Sequence, residues 1–323
     1  MLPLLLTAAL TVAAENQKPG TADWELQAPA LNGEIEGYAS RTSVNGGDAI
    51  DIYVSTAAKR YAVDVFRMGW YGGLGARRVA GPIGRDGFVQ DTPLPDPKTG
   101  LVECRWRDPL HLVTSGADGP WTTGVYLARL SASSPGPEGP GPQAYVVFVV
   151  RDDGREAPIL FQSSVTTFAA YNNWGGRSLY SFNSGGSFNT TGPPARKVSF
   201  DRPYAVNPYG IRLDGASDFL RRWEYNAVRF LEREGYDIAY VTDVDTHEQP
   251  SLLLSRYAFL SVGHDEYWSW EMRQHVEAAR NRGVHLAFLG ADVSFWQIRF
   301  EPDARGDADR TVVSYKEVAG AED

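Results

Sequence analysis

Along the first half of the chain, apolar and polar positions alternate in short runs. EIEGYASRTSV, DAIDIYVST, YAVDVFRMGWY, GVYLARLSAS and AYVVFVVRD carry mostly β-branched and aromatic residues at the period that sends successive side chains to opposite faces of a strand. Turn residues such as Asn45-Gly46-Gly47 and Ser134-Pro135-Gly136 separate them. Five or more short strands at this spacing predict an all-β unit, a β-sandwich over 24–152, with Pro135 to Pro142 as the loop before its last strand. The Trp70-Tyr71-Gly72-Gly73 stretch reads as a turn with a packed aromatic.

The period changes after the charged RDDGREA segment, which places a boundary near 151–157. ILFQS, DIAYVT, YAFLSVG and VHLAFLGA are short, continuously apolar runs, the mark of parallel strands covered on both faces. Between them, Ala216 to Glu234 carries Phe219, Leu220, Trp223, Ala227, Phe230 and Leu231 at three-and-four spacing, predicting one amphipathic helix stopped by Gly235. Trp270 to Arg282 predicts another, stopped by Gly283. Strand–helix–strand alternation predicts a doubly wound parallel sheet over 153–323, so the fold class expected is α/β plus all-β.

Residues 1–23 stand apart as a leader. Leu2 to Ala14 is too short to span a bilayer, and small residues precede Glu15 as at a signal-peptidase site, although the positive start of such a signal is missing. This predicts a secreted or cell-envelope protein, and otherwise a cytoplasmic one.

A hydrophobic content of 43% over 323 residues supplies enough apolar surface for two cores. The net charge of −9, with no stripe of Lys and Arg, argues against a nucleic-acid partner and gives no attraction to an anionic membrane. A single cysteine, Cys104, excludes an internal disulfide and a thiolate metal cage, and reads as a buried thiol.

In a parallel sheet, sites gather beyond the carboxyl ends of the strands. Three polar clusters are due there: TTFAAYNNWGG after ILFQSS, then His264, Asp265 and Glu266 in SVGHDEYWSW, then Asp292 in FLGADVSFW. Taken singly, each also reads as packing or as an acidic helix start. The sequence has no G-x-S-x-G, no phosphate loop, no G-x-G-x-x-G after a strand and no H-E-x-x-H.

TTFAAYNNWGGRSLYSFN, KVSFDRPY, SVGHDEYWSWEMRQHVEAARNRGVHLAFLGADVSFWQIRFE and RTVVSYK together resemble the N,N-dimethylformamidase large (beta) subunit family, well over about 157–323 and more weakly before it. The resemblance implies a class I glutamine amidotransferase-like (flavodoxin-like) domain that lacks the catalytic cysteine. It implies a mononuclear iron, Fe(III), held by two tyrosines and one glutamate. Carried over by motif, these are Tyr171, Tyr204 and Glu266, with Tyr180 and Tyr209 near enough to compete with Tyr204. His264 falls on a histidine beside the metal, and Asp292 on a polar position that is commonly Asn. Three hard oxygen donors favour Fe(III) and leave positions open for water and the carbonyl of a small amide substrate. His264 is then the candidate proton shuttle, since imidazole titrates near neutrality. Family chains continue past RTVVSYK, so a further acidic catalytic residue is expected beyond this sequence. The resemblance also implies a homo-oligomer or a small partner subunit. Two readings from other classes stand beside it: a secreted carbohydrate-binding or carbohydrate-cleaving protein, from the aromatic-rich strands and Asp265-Glu266, and a non-catalytic remnant that keeps the fold.

Overall fold

The computed structural model describes residues 11–133, 139–186, 189–206, 214–316 and 320. Part of the Pro135 to Pro142 loop, and Tyr209, lie outside the described residues. The fold is mixed α/β, with antiparallel sheets and one parallel sheet.

In the N-terminal half, Ile35–Ala39, Ala49–Thr56 and Leu110–Val113 form a three-stranded antiparallel sheet. A five-stranded sheet has the spatial order Ser43–Asn45, Gln143–Arg151, Gly124–Ala132, Arg60–Met68, Ala76–Asp86. The pleat divides its side chains between two cores. Ala144, Val146, Phe148 and Val150 join Ile35, Ile50, Ile52 and Val54 of the three-stranded sheet. Tyr145 and Val149 point the other way and join Phe161, Phe168, Phe219 and Tyr240 of the C-terminal half. That is why YVVFVV is apolar throughout: its strand is buried on both faces.

The second core runs across the expected boundary instead of stopping at it. The charged segment is itself tied to both halves. Arg151 donates to Asp245 at 2.7 Å, and Ser43 donates to the same oxygen at 2.6 Å. Arg155 bonds Asp237 at 2.7 Å.

The parallel sheet has the order Ile238–Thr242, Ile159–Ser163, Ala258–His264, His285–Ala291. A second four-stranded sheet begins just past the third of these strands, at Tyr267–Ser269. The expected cover on both faces is incomplete. His285–Ala291 pairs on one side only and leaves Phe288 41% and Leu289 63% exposed.

The helix expected over Ala216 to Glu234 is two helices, Asp218–Arg221 and Glu224–Arg233. The break falls at Arg222, with φ −120° and ψ −90°, and Trp223 leaves the helical path to stack on His264. The inward stripe also differs from the apolar one. Glu224, Val228 and Glu232 are buried, while Phe230 is 51% exposed. Each buried carboxyl has partners strong enough to reverse the usual preference.

For Glu232 that partner is Arg67, and both side chains are wholly buried. The guanidinium meets the carboxylate at 2.9 and 3.0 Å, and also donates to the Thr123 carbonyl at 2.8 Å and the Tyr71 hydroxyl at 3.0 Å. Tyr240 and Asn16 donate to Glu232 at 2.8 and 2.7 Å. A Cβ on Gly69 would lie 2.3 Å from the Glu232 carboxylate, so only glycine admits the pair here.

Asn16 belongs to the segment expected to stand outside the fold. From Val12 onward that segment is packed: Val12 and Glu15 are fully buried, and Glu15 accepts from Tyr71 at 3.0 Å. Tyr71 is buried in its turn, as its motif predicts, and Cys104 is a buried free thiol. No helix among the described residues is long and apolar enough to cross a membrane.

Because the Arg67 charge has no route to water, Glu232→Ala should destabilise the protein by about 3–5 kcal/mol, measured by denaturant unfolding. Substitution of an exposed pair such as Arg60–Asp86 should change stability by less than about 1 kcal/mol.

Candidate functional site

The site is built where three strands of the parallel sheet end side by side. The strand Ile159–Ser163 runs straight into the helix Val165–Tyr171. Two threonines of that helix bind it to the neighbouring strand ends. Thr166 donates to Asp243 through its amide at 2.9 Å and its hydroxyl at 2.7 Å. Thr167 accepts the Glu266 amide at 2.9 Å. Tyr171 is thereby carried, as the last helical residue, to the Glu266 carboxylate.

The Tyr171 hydroxyl donates to Glu266 Oε2 at 2.9 Å, and the Tyr180 hydroxyl donates to Oε1 at 2.7 Å. The two rings stack at 4.3 Å between centroids. Tyr267 donates to the Tyr180 hydroxyl at 2.6 Å, and Lys316 Nζ lies 3.2 Å from the Tyr180 ring centroid. Burial pushes both phenols well above their ordinary range, and the negative Glu266 pushes Tyr171 further. Both therefore stay protonated and serve as donors to the carboxylate.

Beneath this cluster lies a floor of buried acids. Asp265 accepts from Ser261, Gln162 and Trp268, each at 2.7 Å. Burial raises the carboxyls of both Asp243 and Asp265, and the neighbouring Asp265 raises Asp243 further. Glu224 accepts from the Ser163 hydroxyl at 2.6 Å and the Ser164 amide at 2.8 Å. Burial, with a smaller push from Asp265, lifts its carboxyl to about 8.

The sequence model of the family described as N,N-dimethylformamidase beta subunit-like, C-terminal, matches residues 62–323. The chain belongs to that family. No curated protein matches it. The dimethylformamidase-like match reaches back well before residue 157, in keeping with a core shared by both halves.

Of the residues that the dimethylformamidase resemblance nominated, Tyr171 and Glu266 meet directly. Tyr204 does not join them. It packs edge-on against Phe168, 6.4 Å between centroids, and is not among the partners of Glu266. Tyr180, its competitor, is the tyrosine that reaches Glu266 beside Tyr171, and Tyr209 lies outside the described residues. His264 ends its strand with its ring stacked on Trp223 at 4.6 Å. Asp292 is exposed, one residue past the adjacent strand, and close enough for its charge to raise the Tyr171 phenol. Tyr267 and Lys316 were missed, although both lie in motifs that carried the resemblance, HDEYW and RTVVSYK.

Among the described residues, no group of three or more His, Cys, Asp or Glu side chains is placed to hold a metal. A cation here would depend on the phenols. Asp265 and Glu266 are not a facing pair, since Asp265 is fully buried with both oxygens occupied, which removes the support for glycoside cleavage by these two carboxyls.

Glu224 binds its proton more tightly folded than unfolded, so its contribution to stability is present below about pH 4.5 and is lost as pH rises toward 8. Wild type should lose roughly 3–5 kcal/mol over that window from this group. Glu224→Gln should remove that part of the slope in unfolding titrations between pH 5 and 9.

Proposed function

We propose that the chain is a hydrolase of small amides with formamide-type C–N bonds, acting with one iron ion held by Tyr171, Tyr180 and Glu266. One observation carries the reading: two phenols aim at opposite oxygens of a single carboxylate, at the carboxyl end of a parallel sheet. These donors fit the group. All are hard oxygens, the combination that favours Fe(III), and a cation would replace the phenol protons that now hold the three together. When bound, the iron would supply Lewis acidity to the substrate carbonyl.

The protein's own groups would do the rest. His264, whose ring stacks on Trp223, would give a proton to the leaving amine. Asp292 can only accept while ionised, so it would take a substrate N–H or a water proton. Tyr267, through its hydrogen bond, would orient Tyr180.

The same reading treats the two N-terminal sheets as a β-sandwich, and the parallel sheet as a class I glutamine amidotransferase-like unit. The strand order, in which the first strand lies between the second and third, supports the latter. The family's description as a beta subunit supports a further, different subunit in the active enzyme.

Iron-loaded protein should show a visible phenolate-to-iron absorption. Tyr171→Phe and Tyr180→Phe should each weaken or shift it and lower amide hydrolysis by about 10²-fold or more, while Tyr204→Phe should keep it. A colourless protein after iron loading would sink the ligand set. Separately, His264→Ala should lower kcat by about 10²–10⁴-fold and abolish one limb of the pH–rate profile, with the iron absorption intact. Full activity of that variant would remove the proton-transfer role.

A further inference from the structure

The ring of Tyr180 also belongs to an aromatic box. Tyr180, Tyr267 and Trp296 converge on one ammonium group, with Lys316 Nζ 3.2, 5.4 and 5.3 Å from their respective ring centroids. Aromatic faces are negative, so three of them around one charge make a cation site, the arrangement by which proteins recognise substituted ammonium ions.

The walls are held from behind. Tyr267 is wholly buried, stands at 84° to the Tyr180 ring and donates to its hydroxyl at 2.6 Å. Tyr180 is fixed in turn by its bond to Glu266 at 2.7 Å. Trp296 is the register partner of Tyr267 in the paired strands Tyr267–Ser269 and Trp296–Glu301, and its amide donates to the Glu266 carbonyl at 2.9 Å. None of these contacts involves Lys316, so the box keeps its shape without that occupant. The occupant is exchangeable. Lys316 enters on a flexible four-carbon stem, from a backbone with φ +49° that side-chain-bearing residues seldom adopt. Tyr180, Trp296 and Lys316 all line a cleft of about 520 Å³, within the size range of small-ligand sites, so the box is open to a small molecule from outside. A methylated ammonium gives up less water than a primary one on entering and sets its carbons against the rings, which lets it compete with a tethered lysine.

We propose that this box is a binding site for alkylammonium ions, which Lys316 fills until such an ion displaces it. The chemistry beside it supplies the ligand. Cleavage of an amide C–N bond at the Tyr171–Tyr180–Glu266 cluster releases an amine, which takes a proton and becomes an alkylammonium ion next to the box. Water balances the step: its hydroxyl joins the acyl carbon as the C–N bond breaks, its other proton goes to the nitrogen, and the acid so formed gives the amine one more. Return of Lys316 to the rings then drives the amine out into the cleft. The source of the amine rests on the hydrolase reading above; the binding does not.

The test is calorimetric titration of the full, metal-free chain with choline and with its uncharged analogue, in which a tert-butyl group replaces the trimethylammonium. Lys316→Ala removes the tethered competitor, so it should bind choline at least about tenfold more tightly than wild type does, and at least about tenfold more tightly than it binds the analogue. Adding Trp296→Leu, which removes one ring and none of the hydroxyls bonded to Glu266, should bring that charge preference down to about twofold. Lys316→Gly, suited to the positive φ, carries the same expectation if the alanine variant does not fold. Unchanged choline affinity on removal of the Lys316 side chain would overturn the proposal, and so would equal binding of choline and its analogue. The charge preference without turnover of any amide would sink the hydrolase reading and keep the site. Amide turnover with no charge preference would do the reverse.

Discussion

The buried Arg67–Glu232 pair is the constraint on which the rest of the structure depends. Neither charge can reach solvent, so each must have its hydrogen bonds supplied by the fold, and any arrangement that separates them leaves a bare charge in the core. The strand Arg60–Met68, the helix Glu224–Arg233, Asn16 and Tyr240 are all drawn to one point. This sets the rotation of the helix about its axis. With Glu232 turned inward, Glu224, two turns earlier on the same stripe, must also be inward, which brings it under Ser163 and Ser164 at the end of the first parallel strand. The N-terminal sheets therefore help to fix the helix that borders the site.

At the strand ends, the same logic separates two adjacent acids. Asp265 turns down into Ser261, Gln162 and Trp268, and Glu266 turns up to the tyrosines. The strand can make that corner because Gly263 holds φ +86°, with Trp223 so near that a Cβ would lie 2.9 Å from its ring. Trp223 occupies that place because the helix breaks before Glu224. The broken helix, the glycine and the stacked His264 are thus one arrangement, and it lies where the neighbouring strands Ile159–Ser163 and Ala258–His264 end.

The strands and the sites at their ends were legible in the sequence because period and apolar runs are local properties. YVVFVV, ILFQS and YAFLSVG read correctly for that reason, and so did the placing of Tyr171, Glu266 and Asp292 past strand ends, while His264 is the last residue within its strand. What misled was the helix face. Spacing put Phe230 inside and left Glu224 and Glu232 as solvent-facing positions, and the partners that reverse this, Arg67 and Ser163, lie 165 and 61 residues away. Nothing within one turn of a helix encodes a partner at that distance. The packing of Glu15 was not legible either, since its partners Tyr71 and Arg77 lie 56 and 62 residues away.

The choice of second tyrosine shows the same limit in the site itself. FDRPY offered a tyrosine in a motif, but the residue of that motif with structural consequence is Arg202. Its side chain is buried with no carboxylate bonded to it among the described residues, and burial lowers its guanidinium to about 10. It donates to the carbonyls of Asn172, Trp174 and Arg177 at 2.9 Å each. These carbonyls belong to the loop between Tyr171 and Tyr180. Asn172 adds to the clamp by donating to the Pro203 carbonyl at 2.9 Å. A loop of glycines and asparagines has many conformations open to it, and a buried charge that can be satisfied only by three of its carbonyls removes most of them. The motif thus serves the site by folding the chain back so that two tyrosines nine residues apart reach one carboxylate. Tyr204, its most conspicuous candidate, is left to pack on Phe168 behind them.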